Sequence, residues 1–99
     1  MADVSPPYRL LYHPSVRSED IPRINRNLRK RIARAIQSRL GTAPQQYGEP
    51  LKRTLKGYWK LRVGDYRVVF RILRREVLIY GVIHRRDVYT RMAQRLSSQ

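Results

Sequence analysis

Gly57-Tyr58-Trp59-Lys60-Leu61-Arg62-Val63-Gly64-Asp65-Tyr66-Arg67-Val68-Val69-Phe70-Arg71-Ile72-Leu73-Arg74-Arg75-Glu76-Val77-Leu78-Ile79-Tyr80-Gly81-Val82-Ile83-His84 is the stretch that decides the fold. It divides into three strand-like runs, residues 57–63, 66–73 and 77–84, separated by Gly64-Asp65 and Arg74-Arg75-Glu76. Both separators are short enough to be hairpin turns, so the runs should form a three-stranded antiparallel meander. Trp59, Leu61 and Val63 alternate with Lys60 and Arg62, and Tyr66, Val68, Phe70 and Ile72 alternate with Arg67, Val69, Arg71 and Leu73. Alternation of this kind predicts one core face and one mixed, basic face.

Upstream, residues 8–12 read as a first strand, stopped by His13-Pro14 because proline disfavours continuation. Residues 15–40 read as helical, with Pro22 tolerated in a first turn and Asp20 or Ser18 as candidate caps. Ile24, Leu28, Ile32, Ala35, Ile36 and Leu40 draw one apolar stripe along it, and Gly41 is placed to end it as a C′ glycine. The pattern leaves open whether residues 15–21 form a separate short helix. Residues 42–50, rich in Pro, Gly and Gln, read as a loop. Residues 87–96 read as a last amphipathic helix carrying Val88, Met92 and Leu96 on one side. The expected class is α+β: an N-terminal strand, one or two helices, the meander and a C-terminal helix. Residues 1–99 are expected to be a single domain, with residues 1–7 flexible.

Charge is the loudest signal. Twenty-two Lys+Arg stand against seven Asp+Glu, a formal net charge of +15 at pH 7, and residues 21–48 contain no acid. Such an imbalance costs stability through self-repulsion and points to a polyanionic partner, nucleic acid or an acidic protein. Eighteen of the bases are Arg, whose planar guanidinium makes bidentate phosphate contacts and stacks on bases. A compositional bias from Lys to Arg would account for that ratio, yet not for the scarcity of acids.

Several chemistries fall away. There is no cysteine and only two histidines, His13 and His84, so disulfides, thiolate nucleophiles and a metal site are not expected, nor is any cofactor. The N-terminus lacks an apolar signal-peptide core and no run approaches a membrane span; a cytoplasmic location with no membrane partner is expected. Hydrolase motifs built on serine, paired carboxylates or zinc are missing. RNA needs less help, because its 2′-hydroxyl is an internal nucleophile beside the phosphate. A base for that proton, cations for the developing phosphorane charge and an acid for the leaving oxygen suffice.

Residues of those types are present. Lys60, Arg62, Arg67 and Arg71 share the non-core side of adjacent strands, where like charges are destabilising unless an anion sits among them; each alone is equally a solvated surface cation. His84-Arg85-Arg86-Asp87-Val88-Tyr89 lies at a strand-to-helix turn, a common place for functional side chains. Histidine is the side-chain type whose unperturbed charge change falls near neutrality, although a strand-end histidine such as His84 is more often plain polar surface. Tyr89 has equal standing as a base-stacking or phosphate-facing group and as a helix aromatic packed on the sheet. Glu49, in a basic neighbourhood, could accept a proton or make an ordinary loop ion pair.

The segments 48–52 (Gly-Glu-Pro-Leu-Lys), 57–70 and 83–89 (Ile-His-Arg-Arg-Asp-Val-Tyr) resemble the RelE/ParE toxin superfamily, and its RelE/YoeB branch more than its ParE branch. The resemblance implies a RelE-like fold and the toxin of a type II toxin–antitoxin pair. It implies a metal-independent messenger-RNA endonuclease acting in the A site of the 70S ribosome and inhibiting translation. By the same resemblance Arg67 and Arg85 would hold the scissile phosphate, Lys60 would activate the 2′-hydroxyl or stabilise charge, and Tyr89 would stack on a base or move a proton. Glu49 looks like the general base of the YoeB branch, with His84 near that branch's histidine acid. Arg62, Arg71, Arg86, Lys52 and Lys56 would bind RNA around them. The implied partner is a cognate antitoxin with an acidic, wrapping segment, in a hetero-oligomer. Two other readings stand beside it: a ParE-like inhibitor of DNA gyrase with the same fold and no catalysis, and a non-catalytic RNA-binding module.

Overall fold

The computed structural model describes residues 7–97; the expected flexibility of the first residues therefore falls, for 1–6, outside the described chain. Its strands are β1 (Arg9–Tyr12), β2 (Glu49–Pro50), β3 (Trp59–Val63), β4 (Tyr66–Leu73) and β5 (Glu76–His84). Helices α1 (Arg26–Ala35), α2 (Pro44–Tyr47) and α3 (Val88–Ser97) complete it, together with short helical turns at Val16–Asp20, Ile21–Arg23, Ile36–Leu40 and Arg53–Leu55. The class is the expected α+β. β3, β4 and β5 form the antiparallel meander, extended to five strands in the order β1-β5-β4-β3-β2. β1 lies parallel to β5, so the chain must cross over between them, and the helical segment after β1 begins that crossing.

Both hairpins are two-residue turns with a positive φ at their first position. Gly64 takes φ 60 without penalty, whereas Arg74 takes φ 58 with a β-carbon in place. A glycine there is the residue that a type II′ turn calls for.

The helical region differs from one uninterrupted helix over residues 15–40. Ile24 is extended (φ −109, ψ 134) and separates the turns at Val16–Asp20 and Ile21–Arg23 from α1. Neither Ser18 nor Asp20 caps a helix. The Ser18 hydroxyl donates to Pro14 O, and Asp20 is buried among other partners. Asn25 is the cap of α1, its Oδ1 accepting from Leu28 N–H at 2.9 Å. Gly41 has φ −70, so it does not end the helix in the left-handed conformation; its N–H closes a wide turn onto Ile36 O. Residues 42–50 are also more ordered than a loop, containing α2 and β2.

Strand alternation delivers the expected core. Leu61, Val63, Val68, Phe70, Val77, Ile79 and Val82 meet Val16, Ile24, Ile32, Ile36 and Leu40 from the helical layer. The second face departs from the expectation of an open basic surface. Val69 and Ile83 are roofed by Val88 and Met92 of α3 and by Leu51 and Leu55 of the neighbouring turn, a second small core. Val88 and Met92 on the predicted stripe are buried, and Leu96 is half-buried. Truncating a residue as enclosed as Phe70 or Met92 to alanine costs about 2–5 kcal/mol.

α3 approaches β5 over Gly81, where a β-carbon would sit 2.8 Å from Ile83 Cδ1, 3.0 Å from Met92 Sδ and 3.1 Å from an Arg95 guanidinium nitrogen. Arg95 itself is buried, clamped to Asp20 by two 2.8 Å bonds, while Val82 N–H donates to the same carboxylate at 2.9 Å. Tyr80 O accepts from Arg95 as well. This clamp ties the last helix to the turn after β1.

Candidate anion site on the β3–β4 face

Register decides which side chains meet. Arg62 of β3 pairs directly with Arg67 of β4, and Glu49 of β2 pairs with Lys60 of β3. Partners in register share a face, and Lys60, Arg62 and Arg67 fall on the same one by alternation, so the four form one cluster. Arg85 joins them at the end of β5: its N–H donates to Asp65 O at 2.8 Å, and its Nε lies 3.6 Å from Asp65 Oδ1. Asp65, which the sequence reading passed over, holds Arg85 against the β3–β4 turn. Its position two residues before Arg67 in a hairpin was the available signal.

Arg67 is the centre. Expected on an open face, it is only 8% exposed. Its Nη1 donates to Gly64 O and Tyr66 O, each at 3.0 Å. Among the described residues it makes no ion pair within 4.0 Å. Burial lowers its pKa from the ordinary arginine value, and the charges of Arg62 and Arg85 push the same way. Asp65 and Glu49 oppose them. The group stays cationic at neutral pH and is under-neutralised, a state that a bound anion would relieve.

Other expected residues stand apart. His84 pairs with Tyr66 and packs edge-on to its ring at 5.5 Å between centroids. Tyr66 and Arg67 point to opposite faces, so His84 lies behind the sheet, away from Arg67. The cause is a register irregularity between β4 and β5, where Val69 faces Gly81 and Phe70 faces Ile79. Tyr80 is the extra residue, and every later side chain on β5 changes side. His84 Nδ1 accepts from Arg86 N–H at 3.2 Å, and Arg86 is exposed on the turn. Arg71 lies four residues along β4 from Arg67, roughly 13 Å, and its guanidinium covers the Tyr58 ring at 5.3 Å. It is outside the cluster.

Tyr89 is 42% exposed on the first turn of α3 and is not packed flat on the sheet. Its hydroxyl oxygen accepts from Lys52 N–H at 3.3 Å, which fixes the ring and leaves the phenolic proton available. Lys52 and Lys56 are exposed on either side of the Arg53–Leu55 turn. No group of three or more His, Asp or Glu that could hold a metal ion occurs among the described residues, and no described helix is long and apolar enough to cross a membrane.

Chemically, the cluster offers an anion three guanidinium groups and one ammonium, with Glu49 as a carboxylate within reach of its edge. A family described as "ParE toxin of type II toxin-antitoxin system, parDE" matches residues 10–89. Toxin RelG of Mycobacterium tuberculosis is 41% identical over 54 residues, 52% of this chain; the match spans 62% of RelG's length. The toxin–antitoxin complex RelBE2 of Mycobacterium tuberculosis contains a similar chain, with 28% identity and a TM-score of 0.72 over 79% of this chain and 98% of that one. The RelB–RelE complex of Methanococcus jannaschii shares the fold at 21% identity, with a TM-score of 0.62 over 81% and 95% of the two chains. With the match covering most of its length, this chain belongs to the ParE toxin family of type II toxin–antitoxin systems and has the fold of RelE-like toxins.

Proposed function

We propose that this toxin is a metal-independent endoribonuclease that cuts messenger RNA at the 70S ribosome. The observation that carries the reading is Arg67: a buried, under-neutralised arginine flanked by Arg62 and Arg85, with Glu49 and Lys60 paired beside it. A scissile phosphate at Arg67 would meet preorganised cations where charge develops, the largest single term in most enzymes. Glu49 takes the 2′-hydroxyl proton. The 2′-oxygen then attacks phosphorus, the bond to the 5′-oxygen breaks, and a cyclic phosphate remains. Lys60 or Tyr89 returns a proton to the leaving oxygen; His84, on the other side of the sheet, has no part. Arg86, Lys52 and Lys56 hold flanking phosphates.

An acidic antitoxin segment would neutralise the same surface, as befits the complexes formed by the similar mycobacterial and archaeal proteins. The second reading, a ParE-like inhibitor of gyrase, has the name of the matching family in its favour. It gives no use to an unneutralised Arg67.

The test is in-vitro translation of a defined message with wild-type protein and Arg67→Ala, mapping new 5′ ends by primer extension. Discrete cuts that weaken by ~10²-fold or more in the variant are the expected result. Intact message with unaffected translation would overturn the reading and turn attention to a supercoiling assay.

A further inference from the structure

A second basic surface lies on the other side of the β3 edge. Asn27, Lys30, Arg31, Arg34, Ser38 and Arg39 line one wall of a groove of about 430 Å³, closed at its far side by Arg62 and Val63. All five cations are exposed, and none makes an ion pair among the described residues. Lys30, Arg31 and Arg34 follow helical spacing along α1, beside the buried stripe of Ile32 and Ala35. Arg34 stands i+4 from Lys30 and i+3 from Arg31, like-charge spacings that isolated helices disfavour.

The groove joins the Arg67 cluster. β2 covers only Trp59 and Lys60 of β3, so Arg62 stands on an unpaired edge. Arg62 lines the groove and also perturbs Arg67 electrostatically. At the β3–β4 turn, an Arg31 guanidinium nitrogen lies 3.6 Å from where a β-carbon on Gly64 would sit, and the Gly64 carbonyl accepts from Arg67. Arg67, Arg62, Arg31, Arg34, Lys30 and Arg39 therefore make one continuous cationic path.

From residue 27 to 39 the wall is roughly 18 Å long at 1.5 Å per residue. A stacked nucleic-acid strand advances ~3.4 Å per phosphate, so the wall, with its four cations and Arg62 opposite, spans about five phosphates. The lining contributes only Ala35 and Val63 as apolar residues, both buried. An amphipathic peptide would find nothing there for its apolar side, whereas a sugar–phosphate strand needs none.

We infer that the α1–β3 groove is a backbone-binding track for single-stranded RNA, continuing the strand held at Arg67 across the open β3 edge. The inference rests on the reading of Arg67 as a phosphate site. The track reads no bases and sets how long a strand the toxin grips.

The experiment measures binding of the full chain to a 2′-O-methyl oligouridylate and to a 2′-O-methyl uridine dinucleotide, neither of which can be cleaved, each across a salt series. Wild type is compared with the combined Lys30→Gln, Arg31→Gln, Arg34→Gln and Arg39→Gln variant. Single-strand binding loses about 0.7 in the slope of log affinity against log salt per phosphate contact removed. The long strand should therefore lose about 2–3 in slope, while the dinucleotide binds the variant as it binds wild type. Thermal unfolding checks the fold; if four substitutions disturb it, the Lys30→Gln, Arg34→Gln pair should still remove about 1.4.

An unchanged slope for the long strand overturns the proposal. So does loss of polyglutamate binding with the RNA slope intact, which would assign the groove to an acidic protein segment. Arg67→Ala should lower the slope by only about 0.7, and the binding result is read without cleavage. Failure of the nuclease reading and failure of the track are thus separate outcomes.

Discussion

Arg67 and Arg95 are equally buried, each 8% exposed, and their surroundings are opposite. Arg95 has both oxygens of Asp20 at 2.8 Å, with Glu19 at 3.6 Å, and the Asp20 hydrogen bond raises its pKa above the ordinary value. Arg67 has two backbone carbonyls and no carboxylate in contact, and its pKa is lowered. One guanidinium is neutralised by its own fold. The other is held in place by carbonyl dipoles with charge left over. Burial alone therefore does not separate these two arginines; the identity of their acceptors does.

The comparison breaks most readily at Asp20. Asp20→Asn leaves Arg95 with only the more distant Glu19 and should cost about 3 kcal/mol, read as a shift of the urea midpoint. Replacing both partners, Asp20→Leu with Arg95→Met, should recover most of that loss, since apolar residues of similar size often match a buried pair. If the double variant is as unstable as the single one, the Val82 and Tyr80 contacts matter more than the charges.

Arg67→Met should behave in the reverse way. Relief of an under-neutralised charge should hold stability within about 1 kcal/mol of wild type, while catalysis falls by ~10²-fold or more. A matching loss of stability would make Arg67 a second structural arginine and remove the distinction. More gently, Asp65→Asn should lower cleavage several-fold by freeing Arg85, rescued by Asp65→Glu if a carboxylate is the needed group; thermal stability should stay within about 0.5 kcal/mol.

The strands were legible because alternation and two short turns leave little freedom: Trp59, Leu61, Val63, Val68 and Phe70 sit where period two puts them. The cluster of Lys60, Arg62 and Arg67 followed from the same alternation. What sequence could not deliver depends on single-residue geometry at a distance. The extra residue at Tyr80 reverses His84, and its local signal, Gly81 inside the strand, fits a close backbone approach equally well. Asp20 reads as a cap from its neighbours and becomes a buried partner only because Arg95, 75 residues later, folds back over it. The break at Ile24 was hidden because the residue is apolar on the expected stripe, while Asn25 behind it carried the cap signal. The roof over Val69 and Ile83 also depended on where α3 docks, which periodicity alone does not state.

The separation of Asp20 from Arg95 also has a consequence in time. Chains grow from the N-terminus at about 5–20 residues per second, so Asp20 waits roughly 4–15 s for its partner to be made. Throughout that interval Asp20 lacks Arg95, and Val88 and Met92 are missing from the roof over Val69 and Ile83. A polypeptide released before its last helix would expose Val69 and Ile83 to water and carry a solvated Asp20. The second core therefore closes only after α3 has been made.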